Sequence, residues 1–315
     1  MTHLPAPLHR ALANGSLYAV LAALGFSFKA IFVKLAGPVD AISLLALRMA
    51  LSLPLFAWLV WASRGQGGAP LSAGDGLRVA LLGLFGYYLA SLFDFYGLQF
   101  ISAGLERLIL FTYPTLVLVI QAVVQRERPT LRTLAAMGLC YLGLGIAFVH
   151  DIGSAGGGNQ VLVGSLWVFA SAVTYALYYS GTGMMLKRMN SMRLAGLCGS
   201  ASSLMVLAHY LLVADVAPLL QLPSAVWLNA ALMALFSTVL PIYWVALAIQ
   251  RMGPTHTAAV GNLGPVLTML ASWLILSEAV SLYQVAGLVL VLFGVSRLKP
   301  AKKPAPQPAA PARTM

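Results

Sequence analysis

Runs of about twenty mainly apolar residues recur along this 315-residue chain, and that is the length an α-helix needs to cross about 30 Å of hydrocarbon. About ten can be counted, at 16–35, 41–61, 77–98, 104–124, 131–149, 162–186, 195–214, 225–249, 257–276 and 282–298. Lipid offers no partner for exposed backbone N–H and C=O groups, so runs of this length must close their hydrogen bonds internally, as helices. The predicted fold class is therefore all-α and integral to the membrane. Composition agrees, with 60% of residues hydrophobic and 9% charged, where soluble domains carry about 25% charge.

A net charge of +11 suggests nucleic acid at first sight, but the cations form short clusters between apolar runs rather than a basic face with interleaved aromatics. They read as topology signals. With the N-terminus cytoplasmic, Arg10, Arg64, Arg78, Arg126, Arg128, Arg132, Lys187, Arg188, Arg193, Arg251, Arg297, Lys299, Lys302 and Lys303 share one side, and Lys34 alone falls on the other. The expectation is a multi-pass protein with both termini cytoplasmic, residues 1–15 forming the leading segment and residues 299–315 a disordered, basic, Pro/Ala-rich tail. The first run is too long for a signal-peptide core and carries Lys29, so it is read as a membrane helix. Cys140 and Cys198 lie in apolar runs without ligand spacing, so neither a disulfide framework nor a metal site is indicated.

The chain repeats itself. Tyr113-Pro114-Thr115-Leu116-Val117-Leu118 pairs with Gly264-Pro265-Val266-Leu267-Thr268-Met269 at an offset of 265 − 114 = 151, which also brings Glu127 onto Glu278 and Gly143 onto Gly294. Gly15-Ser16-Leu17-Tyr18 matches Gly164-Ser165-Leu166-Trp167 at 164 − 15 = 149. Two copies of about five helices follow, at 16–150 and 161–298, with an external loop over 151–160. Five is odd, so the second copy enters the membrane upside down relative to the first, the inverted-repeat plan of many secondary transporters.

On these residues each half resembles an EamA domain of the drug/metabolite transporter superfamily. The shared features are a Gly-led first helix, Pro114 or Pro265 in the fourth, Glu127 or Glu278 after it, and a Gly-rich fifth helix with Gly138, Gly143 and Gly145, or Gly287 and Gly294. The resemblance implies ten helices around a central cavity between the repeats. It also implies transport of amino acids, nucleotide-linked metabolites or other small organic molecules, and specifies no one cargo.

Ionisable groups inside hydrocarbon cost about 2.5 kcal/mol or more each, so they need a partner or a watery cavity. Lys29, Arg48, Asp94, Glu106 and Arg107 are the ones predicted at or within helices, and all belong to the first repeat. Their counterparts, Tyr178, the 197–199 stretch, Val245, Thr257 and Ala258, carry no charge. Helix rise places all five in the outer half of the membrane. Two readings stand side by side: structural pairs in which Asp94 or Glu106 neutralises a cation, or a site in which Lys29, Arg48 and Asp94 hold the charged ends of a zwitterionic or anionic substrate.

Pro114 and Pro265 each remove a helix hydrogen bond and predict kinks near Leu110 and Gly261, where Asn262 becomes a candidate substrate contact. Tyr88, Tyr175, Tyr178 and Trp244 fall several residues inside their helices, deeper than an interfacial belt, and are candidates for lining a cavity. His209 and His256 read as packing or capping residues.

No phosphate-binding Gly-x-x-x-x-Gly-Lys loop is present, so ATP does not drive this chain unaided. If an ion gradient does, Asp94 and Glu106 are the candidate proton carriers. No metalloprotease or nucleophile-elbow motif occurs; Tyr178-Tyr179-Ser180-Gly181 lacks the leading glycine, so no catalytic residues are assigned and an intramembrane enzyme is the least favoured class. A non-transporting sensor or scaffold on the same fold is the other alternative. The expectation is a secondary or facilitative carrier in a bacterial inner membrane, an exporter of a small polar metabolite such as an amino acid or organic anion. It needs no cofactor, binds no nucleic acid, has substrate and lipid and, if coupled, protons as partners, and is a monomer or homodimer.

Overall fold

Several helix starts along the chain are set by short polar side chains that take up orphan N–H groups. In a computed structural model that describes residues 6–65, 71–126, 130–154, 158–261 and 263–297, Asp40 accepts from Ser43 N at 3.1 Å, Ser102 from Leu105 N at 3.1 Å and Asn190 from Arg193 N at 2.7 Å. Ser72 and Asp75 form a reciprocal capping box at the start of the third helix. Between these caps lie seven helices long and apolar enough to span a membrane, with three shorter apolar helices at Leu134–Ile146, Gly264–Leu276 and Leu282–Gly294. The ten occupy the ten predicted runs, with bounds a few residues wider in places. The third helix begins at Ala73, the fifth ends at Ser154, the sixth begins at Gly158 and the ninth at Pro254. A short helix, Val216–Leu220, interrupts the loop after the seventh. The periphery is apolar, with Leu212 85% exposed, as lipid-facing surface must be.

Pairing between helices obeys a two-fold exchange of the halves. The first packs on the eighth and, correspondingly, the sixth on the third; the second, fourth and fifth each pack on their own counterparts, the seventh, ninth and tenth. The fifth–tenth contact makes the symmetry atomic. A Cβ on Gly143 would lie 2.6 Å from Gly287 O, and one on Gly294 2.7 Å from Ala136 O, and the two contacts interchange under the offset of 151. Cys140 and Val291, themselves 151 apart, meet at 3.6 Å from Sγ to carbonyl oxygen. Small residues let these backbones close up, which supplies the dispersion contacts that hold helices together in lipid.

Candidate functional site

Irregular backbone marks the middle of the bundle. The third helix winds as a π-helix over Leu84–Leu89 and the eighth over Leu235–Val239. Their starts are 235 − 84 = 151 apart, so each repeat carries the same distortion, a type that concentrates at functional sites. The fourth helix stops at Leu110 and resumes at Tyr113, one residue before Pro114. The ninth stops at Val260 and resumes at Leu263, two before Pro265. The first breaks at Phe28, between Ser27 and Lys29. Backbone that leaves the helical pattern at membrane depth needs side-chain partners or a cavity, and both are present. Arg107 Nη2 donates to Phe26 O, Thr268 Oγ1 to Ser27 O at 3.1 Å and Ser27 Oγ to Gly264 O at 3.1 Å.

Around these breaks lies a central cavity of about 80 Å³. One water needs about 10–15 Å³, so the space suits several waters. Lys29, Arg48 and Arg107 reach its wall, as do the hydroxyl-bearing Ser91, Ser171, Ser237, Thr238 and Thr257. Both repeats therefore contribute polar groups, while the charges come from the first.

The three cations differ in how they are held. Lys29 Nζ is 2.7 Å from Asp94 Oδ2 and 3.5 Å from Glu106 Oε1, and both carboxylates are fully buried. Arg107 Nε donates to Thr268 Oγ1 at 3.0 Å and lies 3.9 Å from Glu106 Oε2. Arg48 has neither arrangement. It is 2% exposed, its Nη2 meets only Met49 Sδ at 3.6 Å, its Nε has no partner, and its guanidinium stands 4.9 Å from the Phe95 ring centroid. Among the described residues no carboxylate forms an ion pair with it.

An aromatic cluster joins the halves at the same cavity. Tyr113 packs against Tyr175 and Tyr179 with ring centroids 5.2 and 5.1 Å apart, and Phe26 meets Tyr175 edge-on at 6.3 Å. Tyr113 OH donates to Ala258 O at 3.3 Å, beside the interruption of the ninth helix. Tyr87 OH donates to Tyr178 OH, and the Tyr178 ring lies on Gly86, where any Cβ would collide with it.

The predicted site residues divide accordingly. Lys29, Arg48 and Tyr175 line the cavity. Asp94 and Glu106 sit one layer behind, against Lys29. Tyr178 is a layer back as well, behind Gly86 and Tyr87. Tyr88 is turned toward the seventh helix, its OH 2.8 Å from His209 Nδ1, and Trp244 packs half-buried against the main apolar core; neither reaches the cavity wall. Asn262 and Glu127 lie outside the described residues. Pro265 lines the cavity and Pro114 stands at the fourth-helix interruption. Sequence reasoning left out Arg107, Tyr113, Ser237 and Thr238 as site residues. Arg107 and Tyr113 flank the fourth-helix break, and Ser237-Thr238 is an adjacent hydroxyl pair in an apolar run, a signal that spacing alone held.

Known proteins place this geometry. The profile of the EamA-like transporter family matches residues 13–149 and again 162–298, one match for each set of five helices. The chain is 28% identical to the uncharacterized transporter YcbK of Bacillus subtilis (strain 168) over 93% of its own length and 97% of that protein's. It is 27% identical to the uncharacterized transporter YcxC of the same organism, over 89% of each. A solved crystal structure with 19% identity superposes with a TM-score of 0.66 over 90% of this chain and 96% of that one, which shows a common fold. Matched in both halves and over nearly all of its membrane region, the chain belongs to the EamA-like transporter family.

Proposed function

We propose that this protein carries a small anionic or zwitterionic metabolite, of the amino-acid or organic-acid class, by alternating access of its central cavity between two inverted repeats. Arg48 carries the reading. A guanidinium almost sealed in protein with no carboxylate paired to it is expensive; where it lines the cavity, a substrate carboxylate would pair with it through charge-assisted hydrogen bonds. Lys29 and Arg107 add positive potential at the same cavity, and its tyrosines and hydroxyls suit an uncharged remainder. The positive-inside pattern favours cytoplasmic termini in a bacterial inner membrane, and the direction proposed is export, downhill from a metabolite accumulated inside.

The test is counterflow of labelled amino acids and small organic acids in proteoliposomes. At least one acid should exchange, and Arg48→Gln should lower its exchange at sub-saturating concentration by about ten- to a hundredfold, the value of a charge-assisted hydrogen bond. Flux that is indifferent to Arg48→Gln removes the anion site from the reading. Binding without flux by the wild type removes the carrier.

A further inference from the structure

Two carboxyl groups stand behind the cavity cations; the oxygens of both lack hydrogen-bond partners, and they differ in how near a cation comes. Asp94 has Lys29 at 2.7 Å. Glu106, equally buried, has its nearest cations at 3.5 Å (Lys29) and 3.9 Å (Arg107), longer than ordinary hydrogen bonds, and neither of its oxygens has a hydrogen-bond partner. Arg107 is committed to Thr268 Oγ1 and Phe26 O. An ionised carboxylate sealed from water without donors takes up a proton instead. The Asp94 and Glu106 carboxyls lie within hydrogen-bonding reach of each other, so a proton on Glu106 finds its acceptor in place.

We propose that Glu106 is a proton-binding site, and that the proton and the substrate anion bind and travel together. This rests on the cavity being the anion site argued above. With Glu106 ionised, Lys29 answers to two carboxylates behind the wall; with Glu106 protonated and donating to Asp94, one negative charge behind the wall is gone and the three cations face the cavity with more positive potential. The anion binds better, and by reciprocity a bound anion favours the proton. The charged groups around Glu106 are Lys29 and Lys34 from the first helix, Asp94 from the third, Arg107 from its own, and Glu278, which interacts with Lys34. Arg48 of the second helix faces Asp94. The sixth, ninth and tenth helices bring no charged side chain there, nor do the described side chains of the fifth. The step is the transfer of one proton from water on one face to a Glu106 oxygen and its release to water on the other. A monovalent anion with one proton carries no net charge, so membrane potential does not act on the pair. Direction follows the summed gradients, and export needs an internal anion excess larger than the proton gradient opposing it.

Infrared difference spectra of the purified protein across a pH titration read the site without any substrate. A protonated-carboxyl carbonyl band is expected in the wild type, absent in Glu106→Gln, retained in Glu106→Asp, and displaced in Asp94→Asn where its acceptor changes. No titrating band, or a band that survives in Glu106→Gln, overturns the proposal. In proteoliposomes, a gradient of one pH unit should concentrate an exchanged carboxylate such as L-glutamate or lactate by up to about tenfold on the alkaline side. Glu106→Gln should lose that accumulation; wild-type flux indifferent to the gradient overturns the coupling. Because the infrared band needs no transported substrate, its loss and a failure of transport are separate results.

Discussion

Replacing Arg48 by methionine should stabilise the empty protein while destroying its function. Arg48 is 2% exposed, with its Nε unpartnered and no carboxylate paired to it. Its compensations are the Phe95 ring at 4.9 Å, a cation–π contact worth about 2 kcal/mol when desolvated, and the longer-range attraction of Asp94, which forms no ion pair with it. Against that stand the buried charge, costing several kcal/mol, and the unmatched Nε at about 1–3 kcal/mol. Methionine keeps most of the length and apolar stem, so Arg48→Met should gain about 1–4 kcal/mol, the range seen when buried charge gives way to packed apolar side chains. Lys29→Met is the contrast. It strips the cation from two fully buried carboxylates, and breaking a buried pair costs about 3–5 kcal/mol. Thermal and denaturant unfolding of the two variants in detergent, each with and without an exchanged acid, measures both signs. Only the wild type should gain from the ligand, by about 2.7 kcal/mol at a hundred times its dissociation constant. If Arg48→Met loses as much stability as Lys29→Met, Arg48 is a structural ion and the anion site is refuted.

Other outcomes follow from the repeat. Glu278 accepts from Ala103 N at 3.2 and 3.4 Å and ties the end of the ninth helix to the start of the fourth; the residue equivalent to Ala103 is Pro254 (254 − 103 = 151), which has no N–H to give. Glu278→Ala should therefore loosen only the face away from the termini, raising labelling of a Ser91→Cys probe from that side by about fivefold for a cap worth about 1 kcal/mol; the background would be Cys140→Ser, Cys198→Ser, and unchanged labelling would mean the tie does not gate access. Gly143→Leu and Gly294→Leu, whose Cβ atoms would meet backbone oxygen at 2.6 and 2.7 Å, should each lower stability by about 1–3 kcal/mol. Markedly unequal losses would contradict the two-fold exchange at the fifth–tenth contact.

Hydrophobic run length determined the fold class and the helix count, because a chain in lipid has almost no alternative to closing its backbone bonds within each run. The 151-residue offset determined the architecture, since an odd number of helices per copy leaves no choice but inversion. The same offset relates the two π-helices, although nothing in Leu84–Leu89 or Leu235–Val239 announces one; a one-residue insertion in the hydrogen-bond pattern is paid for by neighbours that only packing supplies. Charges inside hydrocarbon were visible as anomalies one by one, but their roles were not. Lys29, Arg48 and Arg107 are equivalent cations on paper. Tertiary structure alone decided that Lys29 is paired, Arg107 is bound to hydroxyl and carbonyl, and Arg48 is left open to the cavity. It likewise separated Asp94, with Lys29 at 2.7 Å, from Glu106, whose nearest cations stand at 3.5 and 3.9 Å. Aromatic residues were the least legible, because Tyr88, Tyr175, Tyr178 and Trp244 all lie at depth and only the rotation of each helix about its axis selects which one meets the cavity. That rotation is fixed by contacts such as Gly86 beneath the Tyr178 ring, between residues 92 positions apart.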